Sequence, residues 1–217
     1  MSLPFFFFAL STNLWIWRIF LLKPLLGVIL VVFSLILYKS LFITRRKYFL
    51  LLVIIFPILL FEQWKLTPKM SLTQLSNDDR RVVDMRLREY PPVYVKFGSK
   101  AVFFPVAHWL EQRKESIVLY RIGKNLFETL DINQYFFATH PRERVGVREF
   151  EKFPYILLLP FIFGVIKLNT MKKYKHFLLF LLASFLLLSF IGSRSNLGPF
   201  VLLPFFIIPI ASGLEAI

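Results

Sequence analysis

A block of charged side chains stands directly ahead of an apolar run in the last third of the sequence. Guanidinium groups bind phosphate well because they donate two parallel hydrogen bonds to it, and a carboxylate close to hydrocarbon has a raised pKa that suits proton transfer. The block therefore has the residue types of a site that clamps a phosphate or a lipid headgroup and moves a proton. The clamp would consist of Arg142, Arg144, Arg148 and Lys152, and the proton would be handled by Glu143 or Glu149.

The same block also fits a polar collar at the entrance of a membrane span. It is followed by Phe153, Pro154 and Tyr155, and aromatic rings at headgroup depth and a helix-starting proline are expected where a chain enters a bilayer. In this interpretation the arginines pair with lipid phosphates and catalyse nothing. The sequence favours the collar over the reactive site.

Two adjacent acids, Asp78 and Asp79, are the second set of candidate catalytic residues. Neighbouring carboxylates can ligate a divalent cation or act as a base, but on a helix they diverge by about 100°. Ser76 precedes them in the position of a helix N-cap, and acids in the first turn stabilise the helix dipole. Capping is therefore the favoured role for this pair.

The position of these acids resembles that in one class of enzyme. Asp78 and Asp79, in a loop followed by hydrophobic spans, resemble the outer-loop acids of membrane glycosyltransferases that use polyprenyl-phosphate sugars. The resemblance implies activity on a lipid-linked phosphate at the outer leaflet. It covers only the two acids and the topology: two or three spans precede this loop where that class usually has one, and the chain is far shorter. No family is assigned from it.

Several kinds of site are excluded or disfavoured by what the sequence lacks. The chain has no cysteine, which excludes disulfides, thiolate catalysis and cysteine-ligated metals. Its three histidines, His108, His140 and His176, form no close-spaced metal-binding pair. The sequence therefore predicts neither a metal site nor a cofactor.

The composition places these residues in a membrane protein. The 217 residues are 57% hydrophobic with a mean hydropathy of +0.63, which is more apolar surface than a soluble domain of this size can bury. Six stretches carry no charge and predict five or six transmembrane helices, the first stretch being either a span or a surface helix. These stretches are 1–17, 24–38, 48–61, 153–166, 177–193 and 195–214.

The distribution of charge predicts the orientation. Two short connections, residues 39–47 and 167–176, carry basic residues and no acid, and by the positive-inside rule both face the cytoplasm. Residues 62–152 lie between them and must then be extracytoplasmic. This stretch holds twelve acidic and sixteen basic residues of a chain whose net charge is +14, so the excess charge reflects membrane topology and predicts no nucleic-acid partner.

The predicted architecture is all-α and has three regions. Residues 1–61 form an N-terminal membrane region of two or three spans, residues 62–152 a mainly helical extracytoplasmic domain, and residues 153–217 a C-terminal membrane region of three spans. In the middle domain one helix is predicted from about Asn77 to Glu89, and a second, amphipathic helix from Pro105. The apolar face of the second helix would rest on the membrane surface or on the first helix.

A non-catalytic role is the function that the sequence favours. We expect an integral membrane protein that anchors its extracytoplasmic domain as a subunit or accessory of a cell-envelope assembly, with the lipid bilayer and other membrane subunits as partners. The alternative is an enzyme acting on a lipid-linked phosphate, with a polyprenyl-phosphate lipid as its partner. A transporter component comes third, because the last five charge-free stretches contain no acid, histidine or basic residue to bind or relay charge.

Overall fold

The computed structural model is predominantly helical. It describes residues 3–42, 46–68, 76–89, 93–104, 114–137, 150–171, 174–193 and 195–217. The first part contains α1 (Leu3–Ser11), α2 (Leu14–Leu22), α3 (Pro24–Phe42) and α4 (Arg46–Leu66). The middle part contains α5 (Asn77–Glu89), β1 (Val93–Phe97), β2 (Lys100–Phe104), α6 (Lys114–Leu130) and α7 (Asn133–Phe136). The last part contains α8 (Leu158–Asn169), α9 (Tyr174–Ile191) and α10 (Leu203–Leu214), with single 3-10 turns at Tyr155–Leu157 and Phe200–Leu202.

Among the described residues, three helices are long and apolar enough to cross a membrane. They are Pro24–Leu41 in α3, Lys47–Leu66 in α4 and Tyr174–Ile191, which is α9. A helix of 18 residues is about 27 Å long, close to the hydrocarbon thickness of roughly 30 Å. Helices α1 and α2 pass the same test only as a pair that is bent by 68°, so they add at most a fourth span.

Two of the predicted spans form shorter helices. The apolar helices Tyr155–Asn169 and Phe200–Leu214 are each about 22 Å long. The second of them is enclosed by the rest of the chain, because every residue from Leu203 to Gly213 is buried. The predicted total of five or six spans requires both short helices to cross the bilayer, and it stays a prediction.

The bend between α1 and α2 has a local cause in three polar residues. The hydroxyls of Ser11 and Thr12 donate to the carbonyl oxygen of Phe8 at 3.1 and 2.9 Å, which closes the end of α1. The side-chain oxygen of Asn13 accepts a hydrogen bond from the backbone N–H of Trp15 at 2.9 Å and caps α2. The polar interruption of the first apolar stretch thus ends one helix and starts the next.

Helices α8 and α10 cross with their backbones in contact. A Cβ atom on Gly164 would overlap the carbonyl oxygen of Pro209, and a Cβ atom on Gly213 would overlap that of Pro160. Small residues at such a crossing let two helices approach closely enough for Cα–H···O contacts and extensive van der Waals packing. The two glycines are therefore what allows α10 to lie against α8.

The middle part contains a β-hairpin that the expected all-α fold leaves out. Strands β1 and β2 pair antiparallel, with Val93 opposite Phe104 and Phe97 opposite Lys100. Gly98 in the turn has a φ of 61°, a left-handed conformation that glycine adopts without steric cost. Strands rich in β-branched and aromatic residues around such a turn are the sequence signal of a hairpin. The prediction of a mainly helical middle part did not include this hairpin, and the all-α class is wrong for these residues.

The first predicted helix of the middle part is confirmed as α5, from Asn77 to Glu89. The second is described from Lys114 onward as α6, and residues 105–113 lie outside the described residues. Helix α6 packs against α9, where the side-chain amide of Asn125 donates to the carbonyl oxygen of Ser189 at 3.0 Å. The middle part is therefore joined directly to a candidate membrane span.

Candidate functional site

Asp79 is held by hydrogen bonds at the start of α5. Its Oδ2 accepts from the backbone N–H of Ser76 at 2.8 Å and from the Ser76 hydroxyl at 2.7 Å, while the Asp79 N–H donates to Ser76 Oγ at 3.1 Å. This reciprocal pair is a capping box. The hydrogen bonds from Ser76, with a further contribution from the charge of Arg121, hold the pKa of the Asp79 carboxyl below its ordinary value. The predicted capping by Asp79 is confirmed.

An ion pair joins α5 to α6. Arg121 Nη2 lies 2.6 Å from Asp79 Oδ2, and the two side chains are 12% and 32% exposed. Because one carboxylate oxygen serves both the cap and the ion pair, Asp79 holds two helices together. Asp78 beside it is exposed, so it is the more accessible of the two acids to any ligand.

Lys152 belongs to the predicted phosphate clamp and lies within the described residues. Its Nζ donates to the carbonyl oxygen of Gln134 at 2.7 Å and lies 4.4 Å from the ring centroid of Phe150. The neighbouring Glu151 pairs with Arg18 of α2 at 3.3 Å. The other residues of the predicted clamp, Arg142, Arg144 and Arg148, lie outside the described residues, as do the two candidate bases, Glu143 and Glu149. Their roles stay predictions. His108 and His140 also lie outside the described residues.

A cluster of aromatic rings surrounds α7 and connects all three regions of the chain. Tyr135 lies 4.3 Å from Phe206 and 6.3 Å from Trp15, measured between ring centroids. Its hydroxyl donates to the carbonyl oxygen of Thr129 at 2.8 Å, and its own carbonyl accepts from the N–H of Phe153 at 2.8 Å. Burial, with a smaller effect of the nearby Asp131 charge, raises the pKa of the Tyr135 hydroxyl. This tyrosine is therefore neutral and serves packing.

A buried amide that sequence reasoning missed holds the turn before α10. Gln63 is fully buried near the end of α4, donates to the carbonyl oxygen of Gly198 and to the Thr67 hydroxyl at 3.3 and 3.1 Å, and accepts from the N–H of Val201 at 3.3 Å. The indole N–H of Trp15 donates to the adjacent Leu197 carbonyl at 2.6 Å. In the sequence, Gln63 is visible only as one amide at the end of an apolar stretch. Such an isolated amide does not show that its partners are Gly198 and Val201, more than a hundred residues away.

A groove of about 460 Å³ lies where α2 meets α3 and α4. It combines apolar walls with three charged side chains, Lys23, Glu62 and Lys65; the apolar lining residues are Leu22, Pro24, Leu25, Leu26, Ile29 and Ile58. Lysines attract an anionic headgroup and apolar walls accept an acyl chain. The two lysines are far apart in the sequence, so their convergence follows from helix packing alone.

The contacts at the candidate residues that the structure describes are structural pairings within the chain. Within the residues that the structure describes, no three metal-ligating side chains come together. Asp79 and Lys152, which the sequence singled out, are both engaged with neighbouring parts of the chain. No family model, curated protein or solved structure matches the chain.

Proposed function

We propose that the chain is a non-catalytic membrane subunit of a cell-envelope assembly, and that it anchors residues 62–152 at the extracytoplasmic face. The observation that carries this proposal is the set of buried contacts that join the middle part to both membrane regions. Asn125 of α6 bonds to Ser189 of α9, and Tyr135 of α7 packs between Trp15 and Phe206. A segment held so closely suits the presentation of a fixed surface to a partner.

The contacts at the helix ends support the proposed orientation. Phe49 at the start of α4 lies 4.7 Å from His176 at the start of α9, measured between ring centroids. Each of these helices starts at the end of one of the two basic connections, and the two helix starts lie near each other. At the other end of α4, Gln63 meets the turn at Gly198. This arrangement fits the basic connections on the cytoplasmic side and residues 62–152 on the opposite side.

The test is the composition of the complex that the chain forms. We expect the protein, extracted from its native membranes in mild detergent, to show by native mass spectrometry a discrete mass larger than one chain, with other membrane proteins at fixed stoichiometry. Asp78→Asn should leave this complex unchanged, because a structural subunit does not need a catalytic carboxylate. A chain that runs as a monomer under conditions that preserve other envelope complexes would contradict the proposal.

A second candidate function is an enzyme that acts on a lipid-linked phosphate. The groove at Lys23 and Lys65 favours it, because a cationic, apolar-walled groove is what such an amphiphile requires. On this hypothesis the purified protein retains a phosphate-bearing lipid, visible as a mass adduct, and Lys23→Gln weakens its retention. An adduct that is equally strong in the variant would show that the lipid binds elsewhere.

A further inference from the structure

The outward face of α6 is apolar. Leu119, Tyr120 and Phe127 are 69%, 73% and 72% exposed, and Leu130 is 45% exposed. At 100° per residue these four positions fall within an arc of about 100° on one side of the helix. Four large apolar side chains exposed on one face of a helix are unusual for a surface that contacts water.

The inward face of α6 carries buried polar side chains. Asn125 and Thr129 are 5% and 1% exposed, and both use their side chains in hydrogen bonds, Asn125 to the carbonyl oxygen of Ser189 and Thr129 to that of Asn125. Arg121 on the same side pairs with Asp79. Helix α6 therefore turns polar side chains toward the protein and four large apolar side chains away from it, whereas a helix on a soluble domain buries its large apolar side chains.

The contact with α9 places α6 at the end of a span. Ser189 lies in the last turn of α9, which ends at Ile191. The same stretch of α9 exposes Leu182, Leu186 and Phe190, side chains that a membrane-spanning helix presents to lipid. Helix α6 thus meets α9 near the level at which a spanning α9 would pass from the hydrocarbon region to the headgroups.

We propose that α6 is an interfacial membrane helix whose Leu119, Tyr120, Phe127 and Leu130 face contacts the acyl-chain and headgroup boundary of the bilayer. Lys124 and Glu128, which lie 4.0 Å apart beside this face, would then meet the headgroups, an arrangement typical of helices that lie in the membrane plane. From the sequence, the apolar face of this amphipathic helix would rest either on the membrane surface or on α5. Because the face is exposed in the structure, it favours the membrane surface. The inference stands whether or not the chain is a structural subunit.

The absence of native cysteine allows a direct depth measurement. Leu119→Cys and Phe127→Cys, each labelled with an environment-sensitive fluorophore and reconstituted as full chains in vesicles of phosphatidylcholine and phosphatidylglycerol, are compared with Lys124→Cys on the same helix. We expect the first two labels to be quenched severalfold more strongly by lipids that carry a nitroxide near the headgroup than by aqueous iodide. The label at position 124, at the level of the headgroups, should be quenched severalfold more strongly by iodide than the labels at positions 119 and 127.

Three results would overturn the proposal. Iodide quenching at positions 119 and 127 as strong as at 124 would place the face in water. Strongest quenching by a nitroxide at the end of the acyl chain would place α6 in the hydrocarbon core instead of at its boundary. Efficient disulfide crosslinking between two unlabelled Leu119→Cys chains, together with shielding from both quenchers, would show that a second copy covers the face. Size-exclusion chromatography detects a variant that fails to fold. Because two positions on the face are labelled, the test still works if one of the two variants does not fold.

Discussion

At the scale of single residues, Asp79 is a candidate catalytic acid by its sequence position, but its carboxylate caps α5 and pairs with α6 in the structure. It accepts hydrogen bonds from Ser76 and pairs with Arg121, so its ionised form is favoured in the folded state. The pKa of this carboxyl is lowered from 3.8. A lowered pKa means that the contribution of Asp79 to stability is fully present above 3.8 and is lost as the pH falls through the lowered folded-state value.

This linkage predicts the behaviour of α5. Asp79→Asn removes the charge that pairs with Arg121 and should increase amide hydrogen exchange across Asn77–Glu89 severalfold at neutral pH. In the unchanged protein, exchange corrected for intrinsic rates should rise only when the pH drops below the ordinary carboxyl range. Mass spectrometry of peptides from α5 measures both effects.

Asp78→Asn is the matched control, because the neighbouring exposed acid is one residue away on the same first turn. Its exchange should stay close to that of the unchanged protein. An equal loss of protection in the two variants would mean that the acids act on the helix through their charge alone and that the capping box contributes little.

At the scale of elements, the crossing of α8 and α10 depends on two positions without a side chain. The overlap at Gly164 and Gly213 would be with backbone carbonyl groups, and backbone cannot move aside by changing a rotamer. The neighbouring prolines, Pro160 and Pro209, cannot donate a backbone hydrogen bond, so both helices depend on tertiary packing more than regular helices do.

Gly164→Ala should therefore destabilise the protein. Overpacking typically costs about 1–3 kcal/mol, and we expect a clearly lower midpoint of thermal unfolding in detergent, measured by intrinsic tryptophan fluorescence. Gly123→Ala is the control: apart from the backbone of α6 itself, no atom of the described residues lies within 4 Å of a Cβ at that position, and replacing glycine within a helix should stabilise it by roughly 0.5–1 kcal/mol. Equal midpoints for the two variants would show that the α8 and α10 crossing is looser than the structure has it.

At the scale of the whole molecule, the first and last parts of the chain meet at both ends of α4. Phe49 contacts His176 at one end, and Gln63 contacts Gly198 and Val201 at the other. These pairings hold together stretches separated by the entire middle part. They are the contacts that would keep the middle part at one fixed side of the membrane.

Cysteine labelling tests this arrangement in sealed cells. Met85→Cys places a thiol on the exposed side of α5, and Lys175→Cys places one at the exposed start of α9. We expect a membrane-impermeant maleimide to label the first variant in intact cells and the second only after permeabilisation. Labelling of both variants from the same side would contradict the proposed orientation and the anchoring role with it.

The sequence by itself is enough to predict the membrane class, the candidate spans in α3, α4 and α9, and the bounds and capping of α5. The reason is that hydropathy, charge and capping act within about one helix length. The hairpin at Val93–Phe104 also had a local signal, in its β-branched and aromatic residues and in Gly98. What only the tertiary structure decided is which distant parts meet: Gln63 with Gly198, the polar face of α6 with α9, and α8 with α10. The physical reason is that each apolar helix has several faces of similar hydropathy, so periodicity does not select a partner, whereas one buried amide or one missing Cβ does.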